Sequence, residues 1–308
     1  LRQSRHHIDP PNKMKLNYYT PFPRYENAIV VGDTAAEALA ALHIYTRGLI
    51  GGDIPSMEVW HPTEKFLECT SCAMRDRPQI LDAAARRIGV DYILLEDNGH
   101  KNLNPVDLKT DLEKEGFKVK VLNVQGEPIE IVERAAALYG EDAQRQAARI
   151  RRDFEVRLAQ VESAPKPECV SVLTLLGIRH PVEDAVYCFA ATVGAEITQD
   201  VIERLGCVNP VDVSDRLEDI KGLYRLNTKR LSDLLLVTAP SAIALCGDSA
   251  AALQFVHQAL KEKPALSSCK SFRRNALLPL PWYCRPMGWR LPRVLEIWQR
   301  SLREVSGL

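Results

Sequence analysis

Apolar positions in this chain follow one period in some stretches and another in others, and the alternation lays out the elements. Residues 28–31, Ala-Ile-Val-Val, are a short strand-like run, followed by Gly32-Asp33-Thr34 and a stretch of helix formers. Thr34 with Glu37 three residues later has capping-box spacing, so Thr34 is expected to be the N-cap of that helix. Leu49-Ile50 running into Gly51-Gly52-Asp53 reads as a second strand and its turn. Next come a helix over 78–90, a strand over 91–96, a loop over 97–105, a helix over 106–117 and a strand over 118–124. Strands alternating with helices predict α/β architecture with a parallel sheet.

Residues 127–163 break the alternation. Ile131, Ala135, Leu138, Ala147, Ile150, Phe154 and Leu158 recur at helical spacing, interrupted only by Gly140, and Pro165 and Pro167 end the run. This predicts one long, rigid connecting helix. The β/α pattern then resumes, with a strand over 169–175, a loop over 177–187, helices over 198–207 and 231–240, a strand over 241–247 and a helix over 249–260. A Pro- and Trp-rich loop and a closing helix complete the chain. The expectation is an α/β protein of two Rossmann-like lobes with parallel sheets, residues 1–126 and 165–308, joined by one long helix within 127–164.

Composition narrows the function classes. The chain has 308 residues, 46% hydrophobic and 26% charged, as in a soluble globular protein. Forty Lys+Arg balance forty Asp+Glu, which argues against a general nucleic-acid binder. No run of apolar residues is long enough to span a membrane. Residues 1–15 are polar, include His6 and His7, and lack the apolar core of a signal peptide; a first residue other than Met leads us to expect a trimmed chain. No G-x-S-x-G, H-E-x-x-H, phosphate-binding loop or G-x-G-x-x-G occurs, so no enzyme is expected. Only four methionines argue against a thioether copper site.

Eight cysteines include a single CxxC, Cys69-Thr-Ser-Cys72, so the four-cysteine zinc pattern fails. Cys69 and Cys72 leave three readings open: a disulfide, a reduced pair holding a soft metal with help from a histidine such as His61, or a redox pair. The other cysteines are expected to be mostly buried small hydrophobes.

Several segments resemble one family. PRYENAIVVGDTAAEALAAL (23–42) resembles its opening strand and Thr-Glu helix, LIGGD (49–53) its second strand with a glycine end, and IGVDYILL (88–95) a later strand entry. LSDLLLVTAPSAIAL (231–245) resembles its second-lobe helix and strand, and residues 264–298 its C-terminal strand, loop and final helix. The family is the helix-linked class of periplasmic substrate-binding proteins of ABC importers for iron–siderophore, haem and cobalamin.

The resemblance implies capture of a metal chelate (iron–siderophore, haem or corrinoid) in a cleft between the lobes, at the carboxyl ends of the strands. It implies no intrinsic cofactor, an ABC importer permease as partner, a monomer, and a periplasmic or lipid-anchored extracytoplasmic location. The loops after the expected strands then nominate the ligand-binding residues. Asp33, Thr34 and His100 lie in first-lobe loops, as do Trp60 and His61, where a ring could stack on a planar chelate and an imidazole coordinate its metal. Arg179, His180, Tyr187 and Tyr224 lie in second-lobe loops, offering a carboxylate-binding cation and metal-ligating phenol or imidazole groups. Trp282, Tyr283 and Arg285, stiffened by Pro279, Pro281 and Pro286, form the densest aromatic–cationic cluster. A carboxylate on each lobe for permease docking is implied at Asp82 and Asp233. Two alternatives stay open: a binding protein for bare zinc or manganese, and a cysteine-ligated metal-cofactor enzyme or assembly protein with paired α/β lobes.

Overall fold

The computed structural model describes residues 23–52, 66–76, 79–168, 170–179, 185–195, 197–212, 219–220 and 222–306. Strands β1 (Arg24–Val31), β2 (Ile44–Ile50), β3 (Phe66–Glu68), β4 (Tyr92–Asp97) and β5 (Val119–Asn123) form the first sheet, ordered β3-β2-β1-β4-β5. Every neighbouring pair in it is parallel. Its central strands are apolar on both faces: Ala28 to Val31 and Ile93 to Leu95 are wholly buried, as a sheet covered on both sides requires. Helices α1 (Asp33–Ala41), α2 (Gln79–Ile88) and α3 (Lys109–Lys114) provide that cover.

Helix α1 begins two residues earlier than expected. Gly32, at φ 122, is its N-cap and supplies no side chain, so Thr34 lies inside the first turn and the capping box does not form. Glu37 is instead fully buried, and its carboxylate meets the Arg290 guanidinium at 3.0 Å.

The apolar run of 127–163 is two helices, not one. Helix α4 (Pro128–Ala137) ends ahead of Gly140, whose φ of 87 lets the chain turn into the 23-residue α5 (Glu141–Ser163). Helix α4 packs into the first-lobe core through Ile131, Val132, Ala135 and Ala136. Helix α5 belongs to both lobes: Ala143, Ala147 and Ile150 join the first-lobe core, while Phe154, Leu158 and Val161 join the second.

The second sheet contains β6 (Val172–Arg179), β7 (Val186–Ala191), β8 (Asp219–Ile220), β9 (Leu223–Leu226), β10 (Ala242–Gly247) and β11 (Leu277–Pro279), ordered β11-β10-β6-β7-β9-β8. It is mixed rather than parallel. Strands β11, β10 and β6 run together, but β7 is antiparallel to both β6 and β9, and β8 is antiparallel to β9. Only residues 180–185 connect β6 to β7. A parallel crossover needs a dozen residues or more, so this connection can only be a hairpin. Helices α6 (Gln199–Arg204), α7 (Thr228–Thr238), α8 (Ser249–Glu262), α9 (Lys270–Arg273) and α10 (Leu291–Ser306) complete the lobe.

The lobes also meet at a turn of 3-10 helix, Arg285–Arg290, which lies against α1 and α4. A Cβ on Gly288 would come within 2.3 Å of the Pro128 ring, so glycine permits this approach. Trp289 packs on the first-lobe core, and Arg290 carries the ion pair to Glu37.

Candidate functional site

A cleft of about 950 Å³ separates the lobes. Its first-lobe wall is built at the carboxyl ends of parallel strands: Gly32, Asp33 and Thr34 after β1, Thr70 and Ser71 after β3, Glu96 and Asn98 at the end of β4, and Gln125 and Gly126 after β5. Backbone amides hold two of the lining carboxylates. Asp33 Oδ1 accepts the Gly52 N–H at 2.7 Å, and Glu96 Oε2 accepts the Ala35 N–H at 3.0 Å, so Glu96 satisfies an open amide in the first turn of α1. A Cβ on Gly32 would lie 2.4 Å from Glu96, which explains the glycine there.

The loop after β4 is fixed by its own side chains. Asp97 Oδ1 accepts from the Gly99 N–H and from Asn104 Nδ2, and Asn104 Oδ1 accepts the Asn98 N–H at 3.1 Å. Asn98 Oδ1 accepts the His100 N–H at 3.0 Å. The loop therefore presents His100 and Asn102 to the cleft from a preformed frame.

The second-lobe wall is the turn after β7 and the start of α6: Gly194, Ala195, Gln199, Asp200 and Glu203, with Pro286 beside them. The Ala195 N–H donates to the Thr192 carbonyl at 3.1 Å, and the Thr198 N–H donates to the Tyr283 carbonyl at 2.8 Å. Gln199 Nε2 donates to Glu203 Oε1 at 2.7 Å. Among the described residues, the lining carries Asp33, Glu96, Asp200, Glu203 and His100, and no lysine or arginine.

The residues nominated from sequence divide between the cleft and the rest of the molecule. Asp33, Thr34 and His100 line the cleft. Trp60, His61 and His180 lie outside the described residues, as does the side chain of Arg285. Arg179, Tyr187, Tyr224, Trp282 and Tyr283 are not part of the described lining. Because β7 reverses direction, the carboxyl ends of β6 and β10 point away from the cleft. Arg179 sits there, 3.5 Å from Asp248. Tyr187 is half-buried beneath the Arg225 guanidinium, and Tyr224 is in the core. Trp282 and Tyr283 are 3% and 2% exposed in the second-lobe core, where neighbouring Pro281 accepts the Trp298 Nε1–H at 2.7 Å. Trp282 also borders a separate apolar cavity of about 450 Å³ between α5 and the 287–297 segment.

What sequence reasoning missed is the Gly194–Glu203 wall, together with Thr70 and Ser71 in the first lobe. One signal could have found the wall: residues 172–179 and 186–191 are two strand-like runs with a connection too short for a parallel crossover.

No family model matches the sequence, and no curated protein matches it. Solved structures do. A periplasmic haem-binding protein, BhuT, in complex with two haems aligns with TM-score 0.55 at 18% identity, covering 91% of this chain and 99% of that one. A siderophore periplasmic binding protein from the fuscachelin gene cluster of Thermobifida fusca aligns with TM-score 0.57 at 15% identity, covering 91% and 97%. FhuD from Vibrio cholerae with bound ferric Desferal aligns with TM-score 0.54 at 17% identity, covering 91% and 98%. The fold is that of the helix-linked periplasmic binding proteins. Each alignment covers 91% of this chain, so the likeness is one of the fold as a whole. Among the described residues no helix is long and apolar enough to cross a membrane.

Proposed function

We propose that this chain is the solute-binding component of an ABC importer and holds a metal chelate in the cleft between its lobes. The carrying observation is the cleft of about 950 Å³, walled by parallel strand ends on one side and by the turn after β7 on the other. Its volume is at the upper end of the range for small-molecule sites. The helix-linked neighbours named for haem and ferric siderophores support the chelate class. The chain acts outside the cytoplasmic membrane and hands its ligand to a permease, with a first lobe that extends through α4, a second lobe from residue 165 on, and α5 between them.

The charge of the lining sharpens the ligand class. Four carboxylates and one imidazole, with no lysine or arginine among the described lining residues, favour a neutral or cationic chelate over one bearing free carboxylates. Asn98, Asn102, Gln125 and Gln199 supply amide groups for a polar ligand. A bare zinc or manganese ion would need ligands that converge, and among the described residues of the cleft no three His, Asp or Glu side chains bring their ligand atoms within 4.8 Å of one another.

Native mass spectrometry and equilibrium titration against ferric hydroxamates, haem, a corrinoid, zinc and manganese test the proposal. We expect one chelate to bind in a 1:1 complex, and Asp200→Lys with Glu203→Lys to weaken that chelate if it is cationic. No response to any of the chelates would overturn it.

A further inference from the structure

We infer that Glu68, Cys69 and Cys72 form a protein-ligated site for a borderline-soft divalent metal, of the zinc and cobalt(II) class, at the edge of the cleft. The site goes beyond the ligand-capture reading and does not depend on what the cleft carries. The carboxylate of Glu68 and the two sulfurs all lie within 4.8 Å of one another. It is the one group of three or more His, Cys, Asp or Glu side chains among the described residues with ligand atoms this close.

Local structure explains the convergence. Glu68 is the last residue of β3, and its carbonyl accepts the Gly51 N–H at 3.1 Å, which ties this strand end to the end of β2. Cys69 begins the turn, and the Ala73 N–H donates to the Cys69 carbonyl at 2.9 Å, closing one helical turn across the CxxC. That turn brings both sulfurs to one side. The Cys72 N–H donates to Cys69 Sγ at 3.1 Å, and the Cys69 N–H donates to Glu68 Oε1 at 3.0 Å. Amide donors to a ligating sulfur and carboxylate are the outer-shell contacts that orient metal ligands.

These two cysteines differ from the other described ones. Cys188, Cys207, Cys246, Cys269 and Cys284 are buried, whereas Cys69 and Cys72 are half-exposed and reachable by an ion. Burial pushes the Cys188 thiol up to about 12 and raises the Cys246 thiol further, which keeps both protonated and inert as core groups.

The donor set selects the metal. Two sulfurs and one carboxylate oxygen suit zinc-like ions over magnesium or calcium, which take oxygen ligands alone. Zinc–sulfur bonds of about 2.3 Å in a tetrahedron place the sulfurs about 3.7 Å apart, so the side chains need only small rotations to close on an ion. Three protein ligands leave a fourth position for water or for a donor atom from the cleft. Thr70 and Ser71, the residues between the cysteines, form part of the cleft wall, so metal binding here would stiffen that wall.

Cobalt(II) titration of the full chain, reduced with a non-thiol reductant, tests the site. One cobalt per chain should bind, with a near-ultraviolet sulfur-to-cobalt charge-transfer band and intense tetrahedral visible bands. His6, His7 and the cleft carboxylates cannot produce the sulfur band, so it reports thiolate ligation, which the next variant assigns to this site. Cys69→Ser with Cys72→Ser should abolish the band. Glu68→Gln should retain it and weaken binding by at least about 10-fold, the lower end of what losing even an outer-shell partner costs. As a check that needs no variant, cadmium should protect Cys69 and Cys72 of the unaltered protein from alkylation, mapped by peptide mass spectrometry. No charge-transfer band from the reduced protein, a band that survives in the double serine variant, or alkylation unaffected by cadmium would each overturn the inference. Failure here leaves the chelate titrations untouched, and a chain that binds no chelate can still carry this site.

Discussion

The first lobe brings the ends of β1, β3, β4 and β5 to the cleft because all its strands run one way, whereas the second lobe brings the end of β7 and turns the ends of β6 and β10 to the opposite side. The same β/α building pattern therefore yields two different relations between strand end and site. In a parallel sheet, the rule that ligands meet the carboxyl ends of strands locates the wall directly. In a mixed sheet the rule holds strand by strand, and a single hairpin decides which loops face the ligand. Arg179 and Gly194 illustrate the split: both follow second-lobe strands, yet Arg179 pairs with Asp248 away from the cleft while Gly194 lines it.

The lobes are held together asymmetrically as well. Helix α5 contributes apolar groups to both cores, but the Arg285–Arg290 turn reaches from the second lobe onto α1 and α4 of the first, ending in the ion pair between Arg290 and the fully buried Glu37. Breaking this contact gives the largest expected effect. Arg290→Ala would remove a 3.0 Å ion pair from a carboxylate at 0% exposure, and losing one partner of a buried pair costs up to about 3–5 kcal/mol. Denaturant unfolding should show that loss, and Glu37→Leu with Arg290→Met should restore most of it, since well-packed apolar groups replace buried pairs with little penalty. A loss below about 1 kcal/mol in Arg290→Ala would mean that the turn does not clamp the lobes.

A second substitution separates core from cleft within the second lobe. Trp282 is 3% exposed and packed in the core, so Trp282→Ala should destabilise by about 3 kcal/mol or more through cavity formation. Affinity for the cleft ligand, measured where the variant is still folded, should stay near the parent value. Gln199→Ala should do the reverse, leaving stability nearly unchanged while weakening the ligand. Equal loss of affinity in both would erase the distinction between the two regions.

These contrasts show which parts of the molecule were legible in the sequence. Elements with a strong apolar pattern were, since Ala28–Val31 and Tyr92–Leu95 are continuous apolar runs and α8 and α10 keep helical spacing, but β7 and β9 were not read as strands. The first-lobe wall of the cleft was legible through Asp33, Thr34 and His100, since strand direction there needed no long-range information. The break at Gly140 was not, because apolar spacing survives across it and only the backbone angle of 87° reveals the turn. Trp282 and Tyr283 misled for a physical reason. An aromatic cluster flanked by prolines is equally suited to a stiff ligand loop and to a buried wall, and local sequence does not carry the contacts with Trp298 and α5 that bury it.

The smallest expected effect on stability concerns the two carboxylates implied as permease contacts, one on each lobe. Asp82 on α2 pairs with Arg86 at 2.7 Å, and Asp233 on α7 pairs with Lys263 at 3.4 Å; the four side chains are all 40% exposed or more. Exposed ion pairs contribute little, so Asp82→Ala with Asp233→Ala should shift unfolding by no more than about 1 kcal/mol. Docking is a different matter, because complementary rim charges set encounter rate and register. In vesicles carrying the cognate permease, the double variant should therefore slow ligand delivery, most clearly at low salt, where charges this exposed are least screened. Each single variant tests the comparison between lobes. If both carboxylates meet permease cations, each should slow delivery on its own, and the double should slow it further. The local partners weigh differently on the two positions. Arg86, also 2.8 Å from Glu115, is shared between two carboxylates, while Asp233 has Lys263 at longer range. Asp82 thus belongs to a cluster with one more carboxylate than cation, whereas Asp233 has a lysine of its own, so Asp82 is the less neutralised and Asp82→Ala should give the larger single effect. Delivery unchanged in the double variant at low salt would remove both carboxylates from the docking surface while leaving the cleft and the fold as they are.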